Sequence, residues 1–207
     1  ALAQTPAPQD ESELEVVTVS SSRLRISGYD APTPVSMVSE EDIKKAAPVN
    51  IADYVNQLPQ LAGSLSPRTT KGGIAGNLSG GNFLNLRNLG VSRTLVLLDG
   101  RRFTPSTLTG AVDVNNIPTP LISRVDVVTG GASAAWGSDA VAGVTNFVLN
   151  KGFEGIKGSL NGGAATEGDA QNVAADLSFG KAFAEGRGHV LLSGQYSDVK
   201  KSRFVDR

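Results

Sequence analysis

The chain has 207 residues, 24 of them glycine, and no apolar run long enough for a membrane-spanning helix, so a helical membrane protein is excluded. It contains no cysteine and one histidine, which excludes disulfides, thiolate metal sites, thiol nucleophiles and multi-histidine metal sites. The 19 basic and 20 acidic side chains nearly cancel, so nucleic-acid binding is not expected.

Residues 1–30 predict a polar tail that contains one extended segment. Ala1–Ala3 has the small-x-small pattern of a secretory cleavage site, which suggests export. Residues 14–20 form a short strand between an acidic, proline-rich stretch and a run of serines, so no hairpin partner lies nearby. Such a strand is open to capture by another protein through strand addition. We predict a partner-binding handle centred on Glu15, Val16, Val17, Thr18 and Val19.

Two short helices are predicted after this tail. A strand at 35–38 leads into Ser39, and an acid three residues later can satisfy the free N–H groups of a helix that should run to about Ala47. The acids at 40–42 complement the helix dipole, and this reading is preferred to a metal or catalytic carboxylate cluster. Asn50 offers a second cap. The apolar face of the next helix comprises Ile51, Tyr54, Val55 and Leu58.

Polar loops are predicted on both sides of a compact hairpin. Residues 61–82 are rich in Gly, Ser, Thr and Asn, and a loop of this length is typical of a functional or disordered segment. Its glycines lack the Gly-Lys-Ser/Thr sequence that a phosphate-binding loop requires. A second polar loop covers 104–110. Between them, 83–87 and the apolar run 94–98 predict strands, and Asp99-Gly100 predicts a hairpin turn after the second.

The segment from 121 to 149 predicts two more strands, at 125–128 and 143–149, separated by a run of small residues. Ser133, Ser138 and Asp139 lie in that run, but no histidine lies within this block to act as a base. A secreted hydrolase is therefore kept as a minor alternative, and close backbone packing is the preferred explanation of the small residues.

After Lys151 the pattern changes to a period of two, in which apolar positions alternate with mostly polar ones. Three stretches show it, at 156–164, 173–179 and 190–196. Alternating strands of about this length, joined by short turns, are typical of an outer-membrane barrel. A soluble antiparallel sheet with one face on a core has the same pattern, so periodicity alone leaves both open.

Several segments resemble, in order and spacing, the plug domain of TonB-dependent outer-membrane transporters. The segments are Asn85–Gly90, Thr94–Arg101 and Ile122–Asn146. With the handle, which looks like the family's TonB box, the similarity covers about residues 14–151. It implies an α+β fold, in which a small mixed-sheet plug domain with short helices precedes the opening antiparallel strands of a transmembrane β-barrel of about 22 strands.

The resemblance implies three parts: a tail with the TonB box at 1–30, the plug at 31–151 and the first barrel strands at 152–207 of a longer chain. It implies active import at the bacterial outer membrane, no enzymatic activity, no cofactor and energy coupling by the C-terminal domain of TonB. Siderophore-iron, cobalamin and oligosaccharides are the ligand classes of the family, and an iron chelate is expected on base rate.

Ligand contacts are expected on the two polar loops, at Arg68, Thr69, Lys71, Asn82, Thr104, Ser106 and Thr107. The cations suit an acidic chelate, whereas the amide and hydroxyl side chains suit a sugar. Arg87 and Arg124 match arginines that in this family face acidic residues on the inner barrel wall, so they are expected to lock the plug in place. The alternative from another class is a soluble exported binding module with a plug-like fold and no barrel.

Overall fold

The structure, a computed structural model, describes residues 34–46, 48, 50–67, 69, 80–164, 171–184 and 187–199. The predicted handle, Arg68, Lys71 and half of the first polar loop lie outside the described residues. The described residues form a mixed sheet of five strands and an antiparallel sheet of three. Within them, no helix combines the length and the apolar character needed to cross a membrane.

The five-stranded sheet does not follow the order of the chain. Its strands are β1 (Val35–Ser39), β2 (Thr94–Leu98), β3 (Arg101–Arg102), β4 (Ile122–Val128) and β5 (Gly143–Leu149). In space the order is β1-β4-β5-β2-β3, and β2 and β5 pair in parallel while the other neighbours are antiparallel. The sheet is complete only when β5, its last strand in the chain, is inserted between β4 and β2.

The predicted hairpin is confirmed. Four of the five residues of β2 are buried, as its continuous apolar run requires for a strand covered on both faces. Asp99 and Gly100 have φ values of 51° and 72°, the two positive values that a tight β-turn of this type needs. The Asp99 carboxylate also accepts from the Leu149 N–H at 3.0 Å, so the turn is fixed to the end of β5.

Both predicted helices are present, and their caps are as expected. Helix α1 (Glu40–Ala46) begins at Ser39, whose hydroxyl accepts from the Asp42 N–H at 3.2 Å while the Asp42 carboxylate accepts from the Ser39 N–H at 3.3 Å. The Ser39 hydroxyl holds the pKa of Asp42 below its ordinary value. Helix α2 (Ile51–Val55) begins at Asn50, and Ile51 and Val55 are fully buried in the core.

The strand predicted at 83–87 is wrong. Phe83 makes only single-residue bridges, to Leu65 and to Asp113, and Leu86–Asn88 is a 3-10 turn. Arg87 has a φ of 52°, a left-handed conformation that interrupts any extended strand. The Asn85 carboxamide oxygen stabilises this turn by accepting from the Gly90 N–H at 2.7 Å.

Small residues allow close packing at the start of β5, but the run before it also forms a turn of helix, α3 (Ser133–Trp136). Gly143 has a φ of 138°, and a Cβ at this position would collide with the Val128 carbonyl and the Leu86 side chain. Only glycine fits where strand β5 meets β4 at this distance.

The second sheet confirms the alternating strands predicted after Lys151. It consists of β6 (Gly155–Ala164), β7 (Gln171–Phe183) and β8 (Gly188–Val199), each paired with the next. One face is apolar and exposed, and includes Ile156, Leu160, Val173, Leu177, Phe179, Leu192 and Tyr196. On the opposite face Ser178 is fully buried, with its hydroxyl 3.0 Å from that of Ser193.

Candidate functional site

The two polar loops predicted as ligand loops meet at Phe83. Phe83, at the end of the first loop, bridges Leu65 at its beginning, and the same Phe83 bridges Asp113 at the end of the second loop. Backbone hydrogen bonds of 2.8 and 2.9 Å join Phe83 to Leu65. Both ends of the first loop and the C-terminal end of the second, here called the loop feet, therefore lie side by side, although the loops are separated in the chain by the β2–β3 hairpin.

A cluster of polar side chains, here called the polar base, fixes this junction. It consists of Asn50, Asn82, Asp113 and Asn115. One carboxylate oxygen of Asp113 accepts from the backbone N–H of Asn82 at 2.9 Å and of Asn115 at 3.0 Å. The side-chain oxygen of Asn115 accepts from the side-chain amides of Asn82 at 2.5 Å and Asn50 at 2.7 Å. Two acceptor atoms thus hold three separate segments of the chain together.

The polar base also includes the start of α2. The side-chain oxygen of Asn50 accepts from the Ala52 N–H at 2.9 Å while its amide donates to Asn115, so one side chain caps the helix and joins it to the loops. The Thr119 hydroxyl adds a second bond to this helix start by accepting from the Ile51 N–H at 3.1 Å. Movement of either loop foot is therefore resisted by a helix that is packed in the core.

The structure places the predicted ligand residues in different environments. Asn82 is only 3% exposed, and its side chain belongs to the polar base rather than to the loop surface. Thr104 is exposed. The Ser106 hydroxyl accepts from the Asp113 N–H at 3.0 Å and the Thr107 hydroxyl from the Ala111 N–H at 2.9 Å, so both brace the second loop. The hydroxyl of the exposed Thr69 accepts from the Ser66 N–H at 2.8 Å.

The two predicted lock arginines have partners close to them in the fold. Arg87 donates to the Ala142 carbonyl at 3.0 Å. Arg124 donates from Nε to Asp126 at 3.1 Å, and this carboxylate is only 2% exposed. Residues 124 and 126 lie on the same face of β4, which explains the pairing. Acidic wall residues opposite these arginines stay a prediction.

One ion pair that the sequence did not reveal fixes the segment before β5. Arg102 on β3 donates to both carboxylate oxygens of Asp139 and to the Trp136 carbonyl. The Arg102 guanidinium holds the pKa of Asp139 below its ordinary value, and the carboxylate raises the pKa of Arg102. This fork-shaped contact attaches α3 to the edge of the sheet. The partners are 37 positions apart, so no local signal could identify them.

A second missed contact joins the three-stranded sheet to helix α1. Lys157 lies on the face of β6 opposite the exposed apolar side chains, which is called the inner face. It donates to the Glu40 carboxylate at 3.3 Å and to the Pro120 carbonyl at 3.3 Å. Lys44 approaches the same carboxylate oxygen at 2.8 Å. Hydrogen bonds from Lys44 and then Lys157 hold the pKa of Glu40 below its ordinary value. A lysine at an inward position of an alternating strand was the available sequence signal, but its partner could not be read from it.

A family model described as the TonB-dependent Receptor Plug Domain matches residues 27–144, more than half of the chain. The chain belongs to this family. The five-stranded sheet with its helices and loops is the plug, and β6–β8 correspond to the early barrel strands. The polar base therefore lies within the plug, and Lys157 connects the plug to a barrel strand.

Solved structures of two receptors and one transporter share this fold. The siderophore receptor PirA from Pseudomonas aeruginosa has a TM-score of 0.58 at 22% identity over 84% of this chain. A variant of the ferric enterobactin receptor PfeA from the same organism, in complex with enterobactin, has 0.60 at 19% over 84%. The unliganded ferric citrate transporter FecA has 0.60 at 22% over 81%. The chain spans 30%, 26% and 26% of these proteins, respectively.

The polar base gives a first prediction. Asn115→Leu keeps the side-chain size but removes the oxygen that accepts from two amides, one of them on the buried Asn82. We expect a loss of about 1–3 kcal/mol in the free energy of plug unfolding, the usual cost of buried unpaired donors. Urea titration of the purified protein measures it. Asn116→Leu is the matched control because Asn116 is exposed; an equal loss in both variants would contradict the role of Asn115.

The plug-to-barrel contact gives a prediction about pH. Because folding lowers the pKa of Glu40, its ionised carboxylate stabilises the contacts with Lys44 and with Lys157 above the ordinary carboxyl pKa of about 4.3. That stabilisation is lost as pH falls through the lower pKa of the folded state. Glu40→Gln should therefore make the plug more sensitive to protease than the wild type at pH 7, and the difference should vanish in acid.

Glu41→Gln is the control for this experiment, because the Glu41 side chain is 82% exposed and its ion pair with Lys45 is long, at 4.0 Å. Protease sensitivity is measured across the pH range for all three proteins. A difference between Glu40→Gln and the wild type that persists unchanged in acid would show that the carboxylate charge is not its cause.

Proposed function

We propose that this chain is the gating plug and the opening barrel strands of an active importer in the bacterial outer membrane, and that it has no enzymatic role. The observation that carries the proposal is the match of residues 27–144 to the plug family, together with a mixed sheet that presents two loops from one base. The exposed apolar face of β6–β8, on which Leu160 is 85% exposed, suits contact with lipid. The same face disfavours a soluble binding module, which would expose it to water.

Energy coupling enters through the N-terminal side of the plug in this proposal. Residues Glu15 to Val19 act as the TonB box, and the C-terminal domain of TonB captures them by strand addition. The first element of the described fold after this tail is β1, which lies at the edge of the sheet and pairs with β4 alone. An edge strand can be pulled away without breaking the other strand pairs. Tension on the tail would therefore reach the plug first at β1.

We assign ligand recognition to the two loops that start from the polar base. Arg68, Thr69 and Lys71 on the first loop, and Thr104 on the second, are the proposed contacts. The related structures are a siderophore receptor, a ferric enterobactin receptor and a ferric citrate transporter, and this supports an iron chelate as the ligand. Cobalamin and oligosaccharides remain in the proposed class. Arg87 and Arg124 are proposed to hold the plug against acidic residues of the barrel wall.

The test of the transport mechanism is a proline in the TonB box. Val17→Pro removes one backbone donor and fixes the local backbone, so strand addition should fail and ligand uptake should cease. Binding of ligand to the cell surface should stay at the wild-type level, because the loops are unchanged. Gln9→Pro, in the proline-rich segment before the box, is the matched control and should transport normally.

Uptake and surface binding are measured on the same cells with radioactive iron chelates. Uptake at the wild-type rate in Val17→Pro would rule out the TonB box at this position. Loss of surface binding in the same variant would instead indicate misfolding, and protein in the outer membrane is therefore quantified in parallel.

A further inference from the structure

The tip of the second loop carries an apolar side chain that the fold does not bury. Leu108 is 95% exposed, the highest value among the large apolar side chains of the described residues. The next, Leu160, belongs to the apolar outer face of β6–β8, whereas Leu108 lies between two threonines at a loop tip. A leucine with this exposure gains almost no hydrophobic stabilisation from folding. Its apolar surface is available to a molecule outside the described fold.

The loop holds Leu108 in a defined place. The Ser106 N–H donates to the Ala111 carbonyl at 2.9 Å, and the Ala111 N–H donates to the Thr107 hydroxyl at 2.9 Å. These bonds close the loop on itself, and Asp113 at its foot belongs to the polar base. Because the loop is already ordered, a contact made by its tip requires little further loss of conformational entropy.

The same bonds engage the polar side chains around Leu108. The Ser106 hydroxyl accepts from the Asp113 N–H, and the Thr107 hydroxyl lies 3.1 Å from that of Thr109 in addition to its bond from Ala111. A sugar or a hydroxycarboxylate is recognised by several available donors and acceptors. At this tip the hydroxyls of Ser106, Thr107 and Thr109 already take part in hydrogen bonds within the loop, while the side chain of Leu108 is 95% exposed.

We propose that Leu108 contacts the transported ligand and selects ligands that present an apolar face, such as the aromatic rings of a catecholate iron chelate or the methyl-rich ring of a corrinoid. The inference rests on the proposed function, in which the two loops of the polar base face the ligand. Ferric citrate and oligosaccharides, which are hydrophilic on all sides, lie outside the selected class. Leu108 is then a specificity-determining residue beside the cationic and hydroxyl contacts proposed above.

The test measures binding to the receptor as cells make it, purified in detergent, with four probes. Ferric enterobactin and cyanocobalamin represent the two sources of an apolar face, and ferric citrate and maltohexaose represent hydrophilic ligands. We expect the wild type to bind one of the first two. Leu108→Ser should weaken that binding about tenfold, the effect of losing part of a buried leucine contact. Leu108→Met, which keeps an apolar side chain of similar volume, should bind within about threefold of the wild type.

Val141→Ser is the matched control, because Val141 is a 44% exposed apolar residue in the turn before β5. It should leave the Kd unchanged. The unfolding temperature without ligand should be the same for the wild type and Leu108→Ser, since the leucine packs on nothing within the described fold. A lower unfolding temperature in Leu108→Ser would assign the leucine to packing against the protein itself and overturn the proposal.

Three binding results also overturn the proposal: an unchanged Kd in Leu108→Ser, binding of ferric citrate or maltohexaose only, and binding of none of the four probes. Failure of the proposed function would be observed differently, as continued uptake in Val17→Pro. If Val17→Pro abolishes uptake and Leu108→Ser leaves the Kd unchanged, the transport function is supported and only the inference about Leu108 is overturned.

Discussion

The hydrogen bonds to one oxygen of Asp113 and one of Asn115 are the constraint on which the arrangement of the two polar loops depends. Four donors from three chain segments converge on these two atoms. Asn82 is buried, so the loss of an acceptor could not be compensated by bulk water and would leave a costly unpaired amide. The loops can be long and polar because their feet are fixed. The residues that fix the loops are therefore different from the residues proposed to contact a ligand.

Other attachments are ionic and lie at the edges of this arrangement. Arg102 attaches the α3 segment to the short strand β3 through a bidentate contact with Asp139, and Lys157 connects the barrel strand β6 to Glu40 of α1. These side chains are partly exposed, so each pair is weaker than a buried contact and is screened by salt. In the proposed transport function, contacts of this strength at the margin would let the plug move while its core stays folded. The core beneath them is formed by buried apolar side chains, most of them aliphatic.

Much of the fold could be predicted because its signals are local. Ser39 and Asp42 are three residues apart and form the helix cap that their spacing indicates. Asp99-Gly100 defines its turn through two positive φ values. The alternation after Lys151 gives β6, β7 and β8 directly, because each residue in a strand points to the face opposite its neighbour. The family resemblance supplied the mixed sheet, whose non-sequential strand order no local pattern reveals.

The site was harder to predict for a physical reason. Asn50 and Asn115 are 65 positions apart, and amide side chains in glycine-rich sequence have the same composition whether they face solvent or form a buried network. Asn82 was therefore assigned to the ligand although its side chain lies in the polar base. The failed strand at 83–87 has a similar cause, since apolar residues predicted extension while Arg87 adopts a left-handed conformation. Arg124 finds an acid two residues away on its own strand, a proximity that the resemblance to wall-facing arginines does not predict.

Hydrogen–deuterium exchange at the backbone amides of Asn82 and Asn115 tests the polar base most directly. Both amides donate to the same Asp113 oxygen, so the account predicts that they exchange slowly and at similar rates in the absence of ligand. Exchange of these two amides at the rate of an unstructured peptide would show that the loop feet open freely, and would contradict the claim that one rigid base carries both loops.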